Sequence, residues 1–142
     1  MSTRSRIAIE KEDGKVESIY CHFDGYPEHN GVLLFEHYKD RDKTQKLINL
    51  GDISLLAPIV DAPEGHTFEK RVRGVVVAYG RDRGEKDVEK KYHASKEDFF
   101  NSDIEEFGYI LTKEGDWEVK STYASEDREG VEKLEKVLNE LA

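Results

Sequence analysis

Residues 6–23, Arg6-Ile7-Ala8-Ile9-Glu10-Lys11-Glu12-Asp13-Gly14-Lys15-Val16-Glu17-Ser18-Ile19-Tyr20-Cys21-His22-Phe23, read as a β-hairpin. Ile7 and Ile9 alternate inward along the first strand, and Glu12-Asp13-Gly14 carries tight-turn chemistry. The return strand runs from Val16 to Phe23. Because side chains alternate with a period of two, Ile19, Cys21 and Phe23 share one face, and Tyr20, His22 and Asp24 share the other.

Beyond this hairpin the apolar period lengthens. Asn30 is placed to cap a helix through Leu33, Leu34 and Tyr38. Asp40 or Asp42 caps a second helix through Leu47, Ile48 and Leu50, and Gly51 falls where a left-handed residue ends it. Ile53-Ser54-Leu55-Leu56 reads as a short turn that stops at Pro58, and residues 59–69 read as a loop. The near-continuous apolar run from Gly74 to Tyr79 suits a central strand. Ser95 has capping-box spacing to Asp98 and opens a helix with Phe99, Phe100, Ile104 and Phe107 as its stripe.

Tyr109–Thr112 and Trp117–Lys120 form a second hairpin over Lys113-Glu114-Gly115-Asp116. A last helix carries Val131, Leu134, Val137, Leu138 and Leu141 on one side, with Glu129–Lys133 and Glu132–Lys136 pairs on the other. This order predicts one α+β domain over residues 1–142. Its sheet is mainly antiparallel, has about five strands, and carries helices packed on one face.

The 142 residues can bury a core without a disulfide or metal staple. The single cysteine, Cys21, allows no internal bridge and fits a reducing compartment. Met1–Arg6 is basic, but no apolar segment follows it as in a signal peptide. The run Val75–Tyr79 is too short to cross a bilayer. A cytoplasmic location is expected. The 31 acidic and 22 basic side chains give a net charge of −9, which repels phosphates and anionic membranes. Direct nucleic-acid binding and membrane association are therefore not expected. Carboxylates on a rigid scaffold can instead occupy the Arg/Lys forks of a nucleic-acid-binding partner.

Two clusters carry candidate chemistry. The first, Ile19-Tyr20-Cys21-His22-Phe23-Asp24-Gly25-Tyr26-Pro27, ends a strand in aromatic, imidazole and carboxylate groups. Such junctions present side chains to ligands or partners. His22 and Asp24 could grip one divalent ion, with His29 and His37 nearby in sequence, but no complete metal motif is present. Cys21 and His22 point to opposite faces, so they cannot pair as nucleophile and base. The second cluster is Arg81-Asp82-Arg83-Gly84-Glu85, where two arginines could clamp a phosphate or carboxylate. Gly80 and Gly84 lack the Lys-Ser/Thr of a P-loop.

These stretches, with Thr3-Arg4-Ser5-Arg6-Ile7, Leu34-Phe35-Glu36-His37-Tyr38, Gly51-Asp52-Ile53-Ser54-Leu55, Ala78-Tyr79-Gly80 and Trp117-Glu118-Val119, carry a resemblance over most of the chain. The sequence resembles a family of small, mostly uncharacterised proteins encoded by bacteriophages, prophages and other mobile elements. Relatives often have Trp where Phe23 stands. The resemblance brings no reaction and no cofactor. It implies a mobile-element setting, in which small acidic proteins often block host defence systems, CRISPR nucleases among them.

Three functions follow as expectations. The first is a non-catalytic binding protein that inhibits or modulates a host protein in the bacterial cytoplasm. The second is a binder of an anionic metabolite or nucleotide messenger, with Arg81 and Arg83 on the anion and Tyr20, His22 and Tyr26 stacking. The third is a metal-dependent hydrolase. The candidate contact residues are Tyr20, His22, Asp24, Tyr26, His37, Arg81, Asp82, Arg83 and Glu85. No catalytic residue, resident metal or cofactor is assigned.

Overall fold

The computed structural model describes residues 2–122 and 130–141. The first hairpin forms as read, with β1 (Ser5–Glu10) antiparallel to β2 (Val16–Cys21) and Ile7 opposite Ile19. After β2 the chain makes a π-helical turn, Pro27–Gly31, which runs into α1 (Val32–His37) and then α2 (Arg41–Asn49). Next come β3 (Ile53–Leu55), a long irregular segment, β4 (Val77–Ala78) and α3 (Tyr79–Arg83). The rest is β5 (Lys91–His93), α4 (Lys96–Asn101), β6 (Phe107–Leu111), β7 (Trp117–Ser121), β8 (Glu132–Lys133) and α5 (Leu134–Leu141).

The fold class is α+β. Among the described residues the strands form one eight-stranded sheet in the order β4-β3-β2-β1-β6-β7-β8, with β5 also on β2. Eight strands replace the five expected, and four of them, β3, β4, β5 and β8, are only two or three residues long. Most pairs are antiparallel, while β1–β6 and β2–β3 are parallel. Helices lie on both faces rather than one. Ile7, Ile9, Ile19, Cys21, Tyr109 and Leu111 pack with Leu34, Leu47, Ile48, Leu134 and Val137 of α1, α2 and α5. Ala8, Val16 and Ile110 pack on the other face with Phe99 and Phe100 of α4 and with Ile104. Every residue of β1 is buried as a result.

Caps explain where the helices start. Asp40 Oδ1 accepts the Asp42 N–H at 2.9 Å, and Ser95 Oγ accepts the Asp98 N–H at 3.1 Å. Gly51 has φ +79, and a Cβ there would collide with the Val88 carbonyl oxygen.

The readings that need correction include the helix opened by Ser95, which ends at Asn101, so that Phe107 lies on β6 and not on its stripe. Asn30 is no N-cap: it lies inside the π-turn and its side chain points into the core. Ile53–Leu55 is a strand, paired parallel to Cys21. In Gly74–Tyr79 only Val77 and Ala78 are strand, and β4 is the edge of the sheet, not its centre. Val131 precedes α5 and is exposed. The Glu129–Lys133 pair lies outside the described residues, whereas Glu132 and Lys136 approach to 3.6 Å.

Candidate functional site

The aromatic corner begins where β2 stops. Strand pairing ends at Cys21, but His22 and Phe23 stay tied to the sheet edge, their N–H groups donating to Ile53 O (3.1 Å) and Ser54 O (3.0 Å). Asp24 then takes a left-handed conformation, φ +58, which reverses the chain. Asp tolerates this better than most residues, but at a cost that surrounding contacts must offset. Gly25 N–H donates to Thr3 O at 2.8 Å, and Tyr109 Oη donates to Gly25 O at 2.6 Å. A Cβ on Gly25 would sit 2.7 Å from Ser5 Cβ, so only glycine fits.

Asn30 is the floor of the corner. Its buried Nδ2 lies 3.4 Å from each of Ser5 Oγ, Cys21 Sγ and Phe23 O, and its N–H donates to Tyr26 O at 3.1 Å. Cys21 is wholly buried. Burial pushes its thiol up to about 11, against partial opposition from Asn30 and the Phe23 carbonyl. It packs as a small core residue and is no nucleophile at neutral pH.

Above this floor the side chains face outward. Phe23 is 39 % exposed and meets the His22 ring edge-on, with centroids 4.6 Å apart. Tyr20 Oη lies 2.7 Å from His22 Nδ1. Burial carries the Tyr20 phenol up to about 12, with Glu105 adding to the effect. Tyr26 Oη donates weakly to Asp24 Oδ1 at 3.4 Å, and the Asp24 charge raises the Tyr26 phenol. Tyr20 is thus paired with His22, and Asp24 with Tyr26. His37 is exposed at the end of α1, and no hydrogen bond or ring contact joins it to the corner among the described residues. Those residues contain no group of three or more His, Cys, Asp or Glu side chains arranged to hold a metal ion.

The second cluster is arranged differently. Arg81 turns all three guanidinium nitrogens inward. Nη1 donates to Val60 O, Nη2 to Val76 O (2.7 Å) and Asp82 Oδ2 (3.1 Å), and Nε to Asp82 Oδ1 (2.9 Å). The Asp82 carboxylate, 2 % exposed, also accepts from Ala78 N–H (2.8 Å) and from His66 Nε2 (3.2 Å). Burial alone would raise Asp82, but these hydrogen bonds together hold it below the usual carboxylate value. His66 Nδ1 accepts the Val72 N–H at 3.0 Å, so its proton sits on Nε2. Arg81, Asp82 and His66 therefore clamp the irregular segment between β3 and β4 onto α3. Arg83 pairs with Glu85 and covers the Phe68 ring (4.5 Å), itself stacked on Tyr79. A cleft of about 610 Å³ is lined by Arg81 with Leu50, Glu85, Lys90 and Tyr92, and each guanidinium nitrogen of Arg81 is already engaged by Val60, Val76 or Asp82.

Sequence reasoning passed over the residues between the two clusters. Asp52 Oδ1 accepts the Tyr20 N–H at 2.9 Å, its own N–H donates to Val88 O, and its carbonyl accepts from Tyr79 N–H at 3.3 Å. It fills the gap along β2 between the stretches paired with β5 and β3. Arg6 lies directly opposite Tyr20, and Ser18 bonds both Arg6 and His93 Nε2 (2.8 Å). An Arg at an alternating strand position and a Ser two residues before a Tyr give no local signal of such a grouping. Among the described residues, no helix is long and apolar enough to cross a membrane. Comparison of the chain with known protein families, curated proteins and solved structures finds no match.

Proposed function

We propose that this chain is a small acidic binding protein of the phage or mobile-element type, which docks on a host protein and modulates it, a CRISPR nuclease being the kind of target its chemistry suits. The observation that carries this reading is the Phe23 ring, left 39 % exposed on backbone that is tied to two neighbouring segments and turned through a left-handed Asp24. A large ring held outward on a rigid turn is an anchor shape, since little conformational entropy is lost when it is buried by a partner. His22 and Tyr26 beside it work in both wet and apolar surroundings. The net charge of −9 suits a basic surface such as a nucleic-acid groove and speeds encounter with it.

The small-ligand reading centred on Arg81 and Arg83 is not favoured at that place, because Arg81 is engaged by Val60, Val76 and Asp82. The test is capture of a stoichiometric protein from a bacterial host lysate by the wild type and by Phe23→Ala/Tyr26→Ala. The double variant is expected to retain less than about a tenth of the captured protein. Absence of a stoichiometric partner, or equal capture by both, contradicts the proposal.

A further inference from the structure

The cleft of about 610 Å³ lies between the end of α2, the start of α3 and the loop that leads into β5. Its floor is backbone rather than side chain. Asp52 N–H donates to Val88 O at 2.7 Å, which draws that loop across Gly51. At Gly80, Val88 Cγ2, Glu85 O and Leu50 O lie 3.4, 3.8 and 3.9 Å from the point where a Cβ would stand. Among the described residues no hydrogen bond is donated to either of those carbonyl oxygens. A carbonyl without a donor inside the protein turns to water or to a ligand. The two cations of the lining are already matched. Arg81 is held by Asp82 and by the carbonyls of Val60 and Val76, and Lys90 Nζ donates to Glu17 Oε1 (2.9 Å) and Asn49 Oδ1 (2.8 Å). Glu89, by contrast, is exposed and pairs with no cation among the described residues. Tyr92 is 72 % exposed, and its one ring contact is the distant Lys90 Nζ at 5.7 Å.

We propose that this cleft binds the guanidinium end of an arginine-type ligand, seated on bare Gly80 between the Leu50 and Glu85 carbonyls, beside the Glu89 carboxylate and the Tyr92 ring. A guanidinium carries donors only, all in one plane, and this lining offers acceptors without donors of its own. The flat cation also stacks on a phenol ring, which a compact ammonium does less well. An apolar stem behind it meets Leu50 and Val88, which line the same cleft. The net charge of −9 draws a cation in. An anion is disfavoured here, because Arg81 and Lys90 are committed to other partners. The site is independent of the exposed Phe23 anchor, so its failure would leave that reading standing.

The experiment adds L-arginine, N-acetyl-arginine methylamide and the matching citrulline compound, which keeps the side-chain shape without the charge, to the full chain. Both arginine compounds should shift the Gly80 N–H and Tyr92 ring resonances in a saturable way, and the citrulline compound should bind at least about tenfold more weakly. Tighter binding of free arginine assigns the ligand to a free metabolite, whereas equal or tighter binding of the blocked form assigns it to an arginine side chain of a polypeptide. Gly80→Ala sets a methyl group beside both carbonyls at ordinary contact distances, on a helical residue where alanine is favourable. It should fold and lose at least about tenfold in arginine affinity. Glu89→Gln should weaken binding as well, whereas Glu12→Gln, which removes an exposed carboxylate elsewhere, should leave it unchanged. If Gly80→Ala does not fold, the wild-type titration and Glu89→Gln decide. The proposal is overturned if neither arginine compound moves those resonances, if the citrulline compound binds as well as they do, if Glu89→Gln binds arginine no more weakly than Glu12→Gln, or if a folded Gly80→Ala binds arginine as the wild type does.

Discussion

The corner at Tyr20–Pro27 and the turn at Arg81–Glu85 look alike in sequence. Each ends an apolar strand in charged and aromatic residues next to glycine. In the structure they do opposite work. The turn spends its polar groups internally, since Arg81, Asp82 and His66 bond one another and the backbone of Val60, Val72, Ala78 and Val76. The corner is held by groups beneath it, Asn30, Ser5 and the Tyr109 hydroxyl, which leaves His22, Phe23 and Tyr26 facing outward. A dense cluster of reactive side chains therefore indicates a contact surface only when something else satisfies the backbone around it.

The largest effect should come from the turn. Asp82→Ala removes the acceptor shared by Arg81, His66 and the Ala78 N–H, leaving a mostly buried cation without its partner. A loss of about 3 kcal/mol in urea unfolding is expected. A loss under about 1 kcal/mol would show that the clamp is not structural. Next is the floor of the corner. Tyr109→Phe deletes the donor to Gly25 O and should cost about 1 kcal/mol, with faster amide exchange at Gly25 and Asn30. Unchanged exchange there would mean that the corner is not held from below.

A smaller effect tests the sheet face that lies between them. Burial lowers the imidazole of His93 from its ordinary value, aided by Arg6 and Lys91 and opposed by Asp98. The unfolded chain then takes up this proton first as pH falls. The contribution of His93 is complete above about pH 6.5 and is lost as pH drops through the lower folded value. The decline in Tm from pH 7 to 5 should be shallower in His93→Gln than in the wild type, and equal slopes would refute this. The smallest effect on stability belongs to the exposed ring. Phe23→Ala should change unfolding free energy by less than about 0.5 kcal/mol, which separates binding from folding. A larger loss would mean that the ring is part of the core.

The first and last hairpins were legible because turn chemistry and two-residue alternation are local. So were the caps at Asp40 and Ser95, where one side chain settles a helix start. Gly51 was legible because its left-handed geometry leaves a mark in the residue type. β3 was not: Ile53-Ser54-Leu55 is too short for its alternation to stand out from a turn, and it becomes a strand only through pairing with Cys21 and β4. Gly74–Tyr79 was read as central because it is apolar throughout, but its burial comes from Ile59 pairing with Val75 and from the segment folded back over it. That fold-back depends on His66 and Arg81, which are far from each other in sequence. In the corner, the residue types were legible, while the floor built by Asn30 and Tyr109 was not. Arg6 escaped notice because β1 reads as half-exposed until α4 and Ile104 are seen to cover its second face.

The most direct test sets the two clusters against each other in one capture experiment from a host lysate. If the corner is the docking surface, Arg83→Ala/Glu85→Ala recovers the same stoichiometric protein as the wild type, and Phe23→Ala/Tyr26→Ala recovers almost none. Loss of the partner in the Arg83/Glu85 variant, with full capture by the Phe23/Tyr26 variant, would contradict the account.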